Sequence, residues 1–187
     1  MQNKQQFPPI TWLWNEYNRA FAWYSGDPDR IAKAEAGQPG DRFWSSKEDI
    51  KVHVPVAADI ASLSASMIFS ESPAFTCEHE RTLERIEEVF QKCGAYSTLL
   101  QAAELCSATG GVFLKWSWNY DDGYPVLTAV PADSGLPKWR GNKVVEIKLW
   151  SIVHEDEKTG HIWRLEETYT ENGHIISRLF KGSPSEL

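Results

Sequence analysis

Apolar residues recur with a helical period in the first part of the chain. Within residues 8–26 they are spaced by alternating steps of four and three, which predicts an amphipathic helix that ends at Gly26. Asp27 is placed to cap a second, short helix over residues 28–36. Residues 1–48 are therefore predicted to form an N-terminal aromatic helical arm that ends in a hinge at residues 37–48.

The helical period returns over residues 56–109 and predicts three further helices. In the first, at residues 56–69, large apolar residues are separated by alanine and serine, so we expect it to pack on more than one side and to be largely buried. The other two, at residues 80–93 and 97–109, are predicted to form a helical hairpin. Short strands are predicted at residues 50–54 and 74–78.

After residue 111 the spacing of apolar residues changes from helical to alternating. The alternation predicts strands joined by turns, and the predicted strands lie at residues 112–118, 125–130, 143–154, 161–170 and 174–181. The sequence thus predicts an α+β fold, with N-terminal helical segments followed by an antiparallel β meander. Residues 49–187 are expected to form one α+β domain.

The chain is acidic, with 26 Asp and Glu against 19 Lys and Arg and a net charge of −7. This balance disfavours a protein whose whole surface binds DNA or RNA, so any nucleic-acid contact is expected to be local or weak. No apolar run approaches the roughly 20 residues of a membrane-spanning helix, and no membrane contact is expected. The three cysteines cannot all pair with one another, which favours reduced thiols and a cytosolic protein.

Aromatic residues are numerous: the chain has nine Trp, six Tyr and eight Phe. Such side chains dominate protein cores and interfaces. In the first helix, Trp12 and Trp23 lie away from the main apolar stripe, so this helix is predicted to contact two surfaces. The candidate interface residues of the helix are Trp12, Trp14, Tyr17, Phe21, Trp23 and Tyr24.

One basic cluster includes an aromatic residue. It consists of Lys138, Trp139, Arg140 and Lys143. Phosphate contacts combined with base stacking are conceivable there, which makes the cluster a weak candidate for nucleic-acid binding. An ordinary hairpin loop is the favoured interpretation.

Signatures of catalysis are weak. The chain contains no phosphate-binding loop, nucleophile elbow or zinc-protease motif. Cys77, His79 and Cys93 lack the spacing of a zinc site. We therefore expect a protein that is not an enzyme and that uses no metal and no cofactor.

Acidic residues leave one enzymatic alternative open. Asp121 with Asp122, or the run at residues 155–157, could hold Mg²⁺ if other carboxylates converged on them, as in a small metal-dependent nuclease or hydrolase. Turn chemistry explains both groups at least as well. Glu166 and Glu167 occupy adjacent strand positions and point to opposite faces, so they are expected to be edge or surface charges.

The tryptophans of the first long strand offer a further alternative. Trp116 and Trp118 could form a platform on which sugars stack, as in a carbohydrate-binding module. Because long apolar runs lie beside them, packing in a core or interface is expected unless they are exposed.

Four strings occur in an order that resembles the N-terminal part of a tailed-bacteriophage portal protein. They are WYSGD at residues 23–27, VHVPVAADIASLSASMIF followed by SESP at residues 52–73, GGVFLKW at residues 110–116 and YPVLTAVPAD at residues 124–133. The resemblance extends from about residue 20 to the end of the chain. None of these strings is a catalytic motif.

The resemblance implies a structural role. Portal proteins form a ring of about a dozen identical subunits at one capsid vertex, through which double-stranded DNA is packaged and later ejected, and they bind terminase, scaffold and head-completion proteins. The expected location is the virion, and the host cytoplasm during assembly. This chain would be mostly the wing region, and we transfer no tunnel residue to it. The aromatic first helix would pack on a neighbouring subunit, and residues 1–187 alone are expected to be monomeric or weakly associating.

Overall fold

The computed structural model describes residues 11–37 and 54–183, which form two compact units. The helical unit spans Trp12–Pro131, and the sheet unit comprises residues 132–183 of the described part. The elements of the helical unit are α1 (Thr11–Ser25), α2 (Pro28–Ala34), α3 (Val56–Ile68), α4 (Glu80–Lys92), α5 (Ala95–Thr109), β1 (Val112–Asn119) and β2 (Tyr124–Pro131). The sheet unit contains a short 3-10 helix (Ala132–Ser134) and the strands β3 (Gly135–Arg140), β4 (Lys143–Glu155), β5 (Ile162–Thr170) and β6 (Ile175–Gly182).

A tight turn separates α1 from α2. Gly26 adopts a φ of +67°, a conformation that costs glycine little. Asp27 then caps α2, because its side chain accepts hydrogen bonds from the backbone N–H groups of Asp29 and Arg30 at 3.0 and 3.3 Å. The predicted N-cap is confirmed.

Small residues bring α3 and α5 together. Ala61 and Ala65 are the buried residues of α3, and Ala95 and Ala102 are the buried residues of α5. Alanine side chains let the axes of two helices approach closely. The interface between α3 and α5 therefore uses only the alanine side of α3.

The helix α5 also connects α3 to the ribbon of β1 and β2. Tyr96 donates a hydrogen bond of 2.7 Å to the backbone carbonyl of Phe69, where α3 ends. On β2, the carbonyl of Leu127 accepts a hydrogen bond of 3.4 Å from the Thr98 hydroxyl. The two strands pair antiparallel along their full length as a separate two-stranded sheet.

The sheet unit is an antiparallel meander in which β3, β4, β5 and β6 follow one another in spatial order. Gly141 and Gly173 have φ values of +62° and +78° in the turns before β4 and before β6. Leu149 and Trp150 of β4 and Ile162 of β5 are buried. Leu149 and Trp150 are adjacent on β4 and point to opposite faces of the sheet, so each face carries a buried apolar residue.

The structure confirms the predicted fold class, α+β with N-terminal helices followed by a β meander. The strand predicted at residues 74–78 is wrong, because these residues form no strand. The predicted boundary after residue 48, most of the hinge at 37–48 and most of the strand at 50–54 lie outside the described residues. Neither described range contains a helix with the length and apolar character of a membrane span.

Candidate interaction surfaces

The aromatic residues of α1 pack within the helical unit. Tyr17 is only 6% exposed and stacks on Phe21, with 6.4 Å between the ring centroids. Trp14, Trp23 and Tyr24 are half-buried, as is Phe21, while the side chain of Trp12 lies outside the described part. Tyr17 is therefore buried within this chain, and contact with a second subunit stays a prediction for the half-buried residues and for Trp12.

Glu35 ties α1 to the end of α2. Its carboxylate, 7% exposed, accepts hydrogen bonds from Arg19 Nε at 2.7 Å, Arg19 Nη2 at 3.2 Å and Trp23 Nε1 at 2.8 Å. The hydrogen bonds from Arg19 and then from Trp23 lower the pKa of Glu35. The same ion pair raises the pKa of Arg19. The polar edge of Trp23 thus faces its own unit.

The basic cluster lies at the turn between β3 and β4, which confirms the predicted hairpin. All four of its side chains are exposed. Glu171 pairs with Arg140 at 3.2 Å and with Lys143 at 3.1 Å, and Glu146 lies 3.8 Å from Lys138. Each cation thus has a carboxylate partner, which reduces the positive field available to a phosphate. Nucleic-acid binding by the cluster stays a prediction.

The acidic groups that suggested a magnesium site take part in turns. Asn119 Oδ1 accepts hydrogen bonds from the backbone N–H groups of Asp121 and Asp122 at 3.0 and 3.4 Å, and Asn119 Nδ2 donates to Asp122 at 2.6 Å. Asp156 accepts hydrogen bonds from the Thr159 hydroxyl at 2.8 Å and from the backbone N–H of Lys158 at 3.0 Å, which lower its pKa. Within residues 11–37 and 54–183, no three His, Cys, Asp or Glu side chains gather to hold a metal ion.

Glu166 corrects another expectation. It is 8% exposed, so the prediction of an edge or surface charge is wrong for this residue. Its carboxylate lies 3.5 Å from Lys148 Nζ on β4 and 3.6 Å from Arg178 Nη1 on β6. The two neighbouring strands therefore supply cations that compensate for its burial.

The large apolar residues of α3 are exposed. This overturns the expectation that the helix is largely buried, because only the alanine side is covered. The exposed fractions are 52% for Val56, 60% for Ile60, 63% for Leu63 and 74% for Met67. These four residues, spaced by four, three and four, form one continuous stripe that we call the α3 ridge.

An apolar cleft of about 550 Å³ lies between α4 and β1. We call it the α4 cleft, and its lining includes Phe75, Arg81, Arg85, Ile86, Val89 and Trp116. Phe75 is held in place by an edge-on contact with Phe90, with 4.8 Å between the ring centroids. The cleft therefore combines apolar side chains with two arginine side chains.

Trp116 and Trp118 are 51% and 53% exposed, so they do not pack in the core of this chain, and packing in an interface stays a prediction. They lie two residues apart on β1 and share one face of the ribbon with Leu114. Trp116 also forms part of the α4 cleft. The exposed face of β1 thus continues the apolar surface of the cleft.

The chain matches no known family profile and no curated protein sequence. The function of this chain is therefore inferred mainly from the surfaces described above.

Proposed function

We propose that this chain is a structural subunit of a tailed-phage portal ring at the capsid vertex, which acts as a conduit for packaging and ejection of double-stranded DNA. It would work in the virion, after assembly in the host cytoplasm. Its partners would be copies of itself and terminase, scaffold and head-completion proteins. DNA would pass through the ring without stable binding.

The α3 ridge is the observation that carries this proposal. A helix that exposes four large apolar side chains in one stripe is typical of a surface that another protein covers. The ridge lies within residues 52–69, the longest string on which the resemblance to portal proteins depends. A protein that assembles with copies of itself accounts for both features.

The charge of the chain is compatible with this role. A net charge of −7 gives little overall attraction for phosphate, and strong neutralisation of phosphates would hold DNA that must move. The carboxylate partners of the basic cluster further weaken the attraction of this surface for phosphate.

Electron microscopy of the product of the complete gene tests the proposal. We expect rings of about a dozen copies with an open central channel. Antibodies against the chain should label a single vertex of phage particles from the strain that carries the gene. Only monomers and small closed oligomers, or label spread over the whole capsid, would overturn the proposal.

Incubation with Mg²⁺ and double-stranded DNA separates the proposal from the nuclease alternative. A portal subunit leaves the DNA intact. Cleavage that is abolished by Asp121→Ala or Asp122→Ala would favour a metal-dependent nuclease. The Asn119→Ala variant is a useful control, because it removes the turn hydrogen bonds and keeps both carboxylates.

Exposure of Trp116 and Trp118 favours a second candidate, binding of oligosaccharides by ring stacking. Sugar sites also need polar groups that bond to hydroxyls, whereas Trp116 adjoins a mainly apolar cleft. Quenching of tryptophan fluorescence by oligosaccharides, lost in Trp118→Ala, would support this candidate.

A further inference from the structure

The helical unit carries two separate apolar surfaces of opposite shape. The α3 ridge is convex, whereas the α4 cleft is concave. No residue of α3 lines the cleft, so one molecule presents both surfaces at once. A closed ring of more than two copies needs such a pair, because each subunit contacts its two neighbours through different patches.

We propose that the α3 ridge of one copy docks in the α4 cleft of the next copy. This inference rests on the proposed function, which supplies the second copy, and it assigns the contact between neighbours. The aliphatic side chains of Ile60, Leu63 and Met67 would cover Ile86 and the exposed face of Trp116. A cleft of about 550 Å³ admits several aliphatic side chains.

The charges on the two surfaces are complementary. Asp59 is the only charged residue of α3, and it borders the ridge because it lies three residues after Val56 and four before Leu63. Arg81 and Arg85 line the cleft. Within the described residues, none of these three side chains lies within ion-pair distance of an opposite charge, and Arg85 contributes a small part of the attraction that lowers the pKa of Glu88.

This charge pattern favours docking of the α3 ridge in the α4 cleft over packing of two α3 ridges on each other. Two α3 ridges packed on each other would bring no cation to Asp59, since α3 has none. Docking in the cleft brings two guanidinium groups toward its carboxylate. Opposite charges at the edge of an apolar contact fix its register and speed association.

Mixing two variants of the full chain tests the head-to-tail contact. Leu63→Glu damages the ridge and leaves the cleft, whereas Ile86→Glu damages the cleft and leaves the ridge. Each variant alone is expected to associate at least about tenfold more weakly than the unsubstituted chain in sedimentation experiments. An equimolar mixture is expected to form heterodimers, because one intact ridge meets one intact cleft.

The outcomes separate the possible contacts. At a protein concentration at which the unsubstituted chain associates, a mixture that stays monomeric, or Ile86→Glu that associates as well as the unsubstituted chain, would overturn the docking. Thermal unfolding monitors the fold of both variants. Ser62→Glu, on an exposed position of α3 away from the ridge, is the matched control and should associate normally.

Photo-crosslinking covers the case of weak association or poor folding. A photoreactive amino acid at position 63 should join a second copy at α4 or β1, and mass spectrometry identifies the peptides. Joining to α3 of the second copy, or to no second copy, would overturn the docking. The charge reversal Asp59→Arg should weaken association about fivefold or more, and Arg81→Asp with Arg85→Asp should restore it.

Failure of this inference can be distinguished from failure of the proposed function. If the complete gene product forms rings whose yield is unchanged by Leu63→Glu, the docking is overturned and the portal function stands. If the ridge and the cleft crosslink but no rings form, the docking stands and the portal function is overturned.

Discussion

The Tyr24 hydroxyl on α1 donates a hydrogen bond of 2.7 Å to a carboxylate oxygen of Glu104 on α5, 80 residues later in the chain. Burial, together with this hydrogen bond and the nearby negative charge, raises the pKa of Tyr24 to about 12. The contact joins α1 to the helix that α3 and the β1 and β2 ribbon also contact. The N-terminal aromatic helix thus belongs to the helical unit.

Loss of this hydrogen bond should destabilise the protein. Tyr24→Phe is expected to lower the free energy of unfolding by about 1 kcal/mol, measured by urea denaturation at neutral pH. Tyr120→Phe is the matched control, because Tyr120 is 88% exposed and should change stability little. Equal effects of the two substitutions would contradict a structural role for the contact.

The same contact predicts a loss of stability in alkali. The folded pKa of Tyr24, about 12, lies above its ordinary value of 10.0, so the neutral hydroxyl is the form that favours folding. Its contribution is complete below pH 10 and is lost as the pH rises toward 12. The difference in tyrosinate absorbance between the unsubstituted chain and Tyr24→Phe should show this late titration. A difference titration near the ordinary value would contradict it.

Five of the six described strands could be predicted closely because local signals agree with one another there, whereas β3 (Gly135–Arg140) is not predicted as a strand. For β4, β5 and β6, alternating apolar positions coincide with turn residues such as Gly141 and Gly173, and every predicted end lies within one residue of the observed end. The N-cap at Asp27 is equally local, since a capping side chain bonds to backbone groups two and three residues away. Signals of this kind need no knowledge of the rest of the fold.

Burial could not be predicted in the same way. The sequence of α3 contains an alanine side and a side of large apolar residues, and either could face α5. The close approach of Ala61 and Ala65 to α5 decides the matter and leaves Leu63 exposed. The prediction that Glu166 is a surface charge is also wrong. The cations that permit its burial, Lys148 and Arg178, come from other strands, which the local sequence does not indicate.

The contacts of Glu35 predict that the folded protein loses stability in acid. Its folded pKa is lowered, so its contribution is present above the ordinary value of 4.5 and is lost as the pH falls through the folded value. Glu35→Gln should lower the free energy of unfolding by about 1 to 2 kcal/mol at neutral pH and change it less in acid. The fluorescence of Trp23, which donates to Glu35, should shift with the same substitution. A destabilisation that does not depend on pH would contradict the role of the ion pair.

Gly110 ends α5 in a left-handed conformation, with a φ of +81°. A β-carbon at this position would meet no atom within 4 Å, so the cost of Gly110→Ala comes from the backbone alone. We expect a loss of about 1 kcal/mol in the free energy of unfolding, measured by thermal denaturation. Gly111→Ala is the control, since φ is not positive there and the loss should be smaller. Equal losses would show that the left-handed cap is not the cause.

The ion group around Glu166 should respond differently to partial and complete replacement. Glu166→Ala leaves Lys148, whose side chain is 22% exposed, beside a cavity and is expected to cost about 2 to 3 kcal/mol of unfolding free energy. Replacing these three residues by apolar ones, as Lys148→Met, Glu166→Leu and Arg178→Met, should recover only part of that loss, because the buried Arg164 still loses the nearby negative charge of Glu166. Urea denaturation of the two variants measures both effects. A triple variant less stable than Glu166→Ala would indicate that the ion group itself stabilises the sheet unit.

Glu171 should control whether the basic cluster binds DNA. Its carboxylate pairs with Arg140 and Lys143, and these contacts, chiefly the hydrogen bond from Lys143, lower its pKa, so it stays negatively charged at neutral pH. Glu171→Gln frees both cations and should raise the affinity for a labelled duplex several-fold at low salt, with a steeper dependence on salt. Glu155→Gln changes the net charge equally at a position away from the cluster and should have a smaller effect. Fluorescence anisotropy at several salt concentrations measures the binding, and equal gains in both variants would show that overall charge, and not the cluster, determines it.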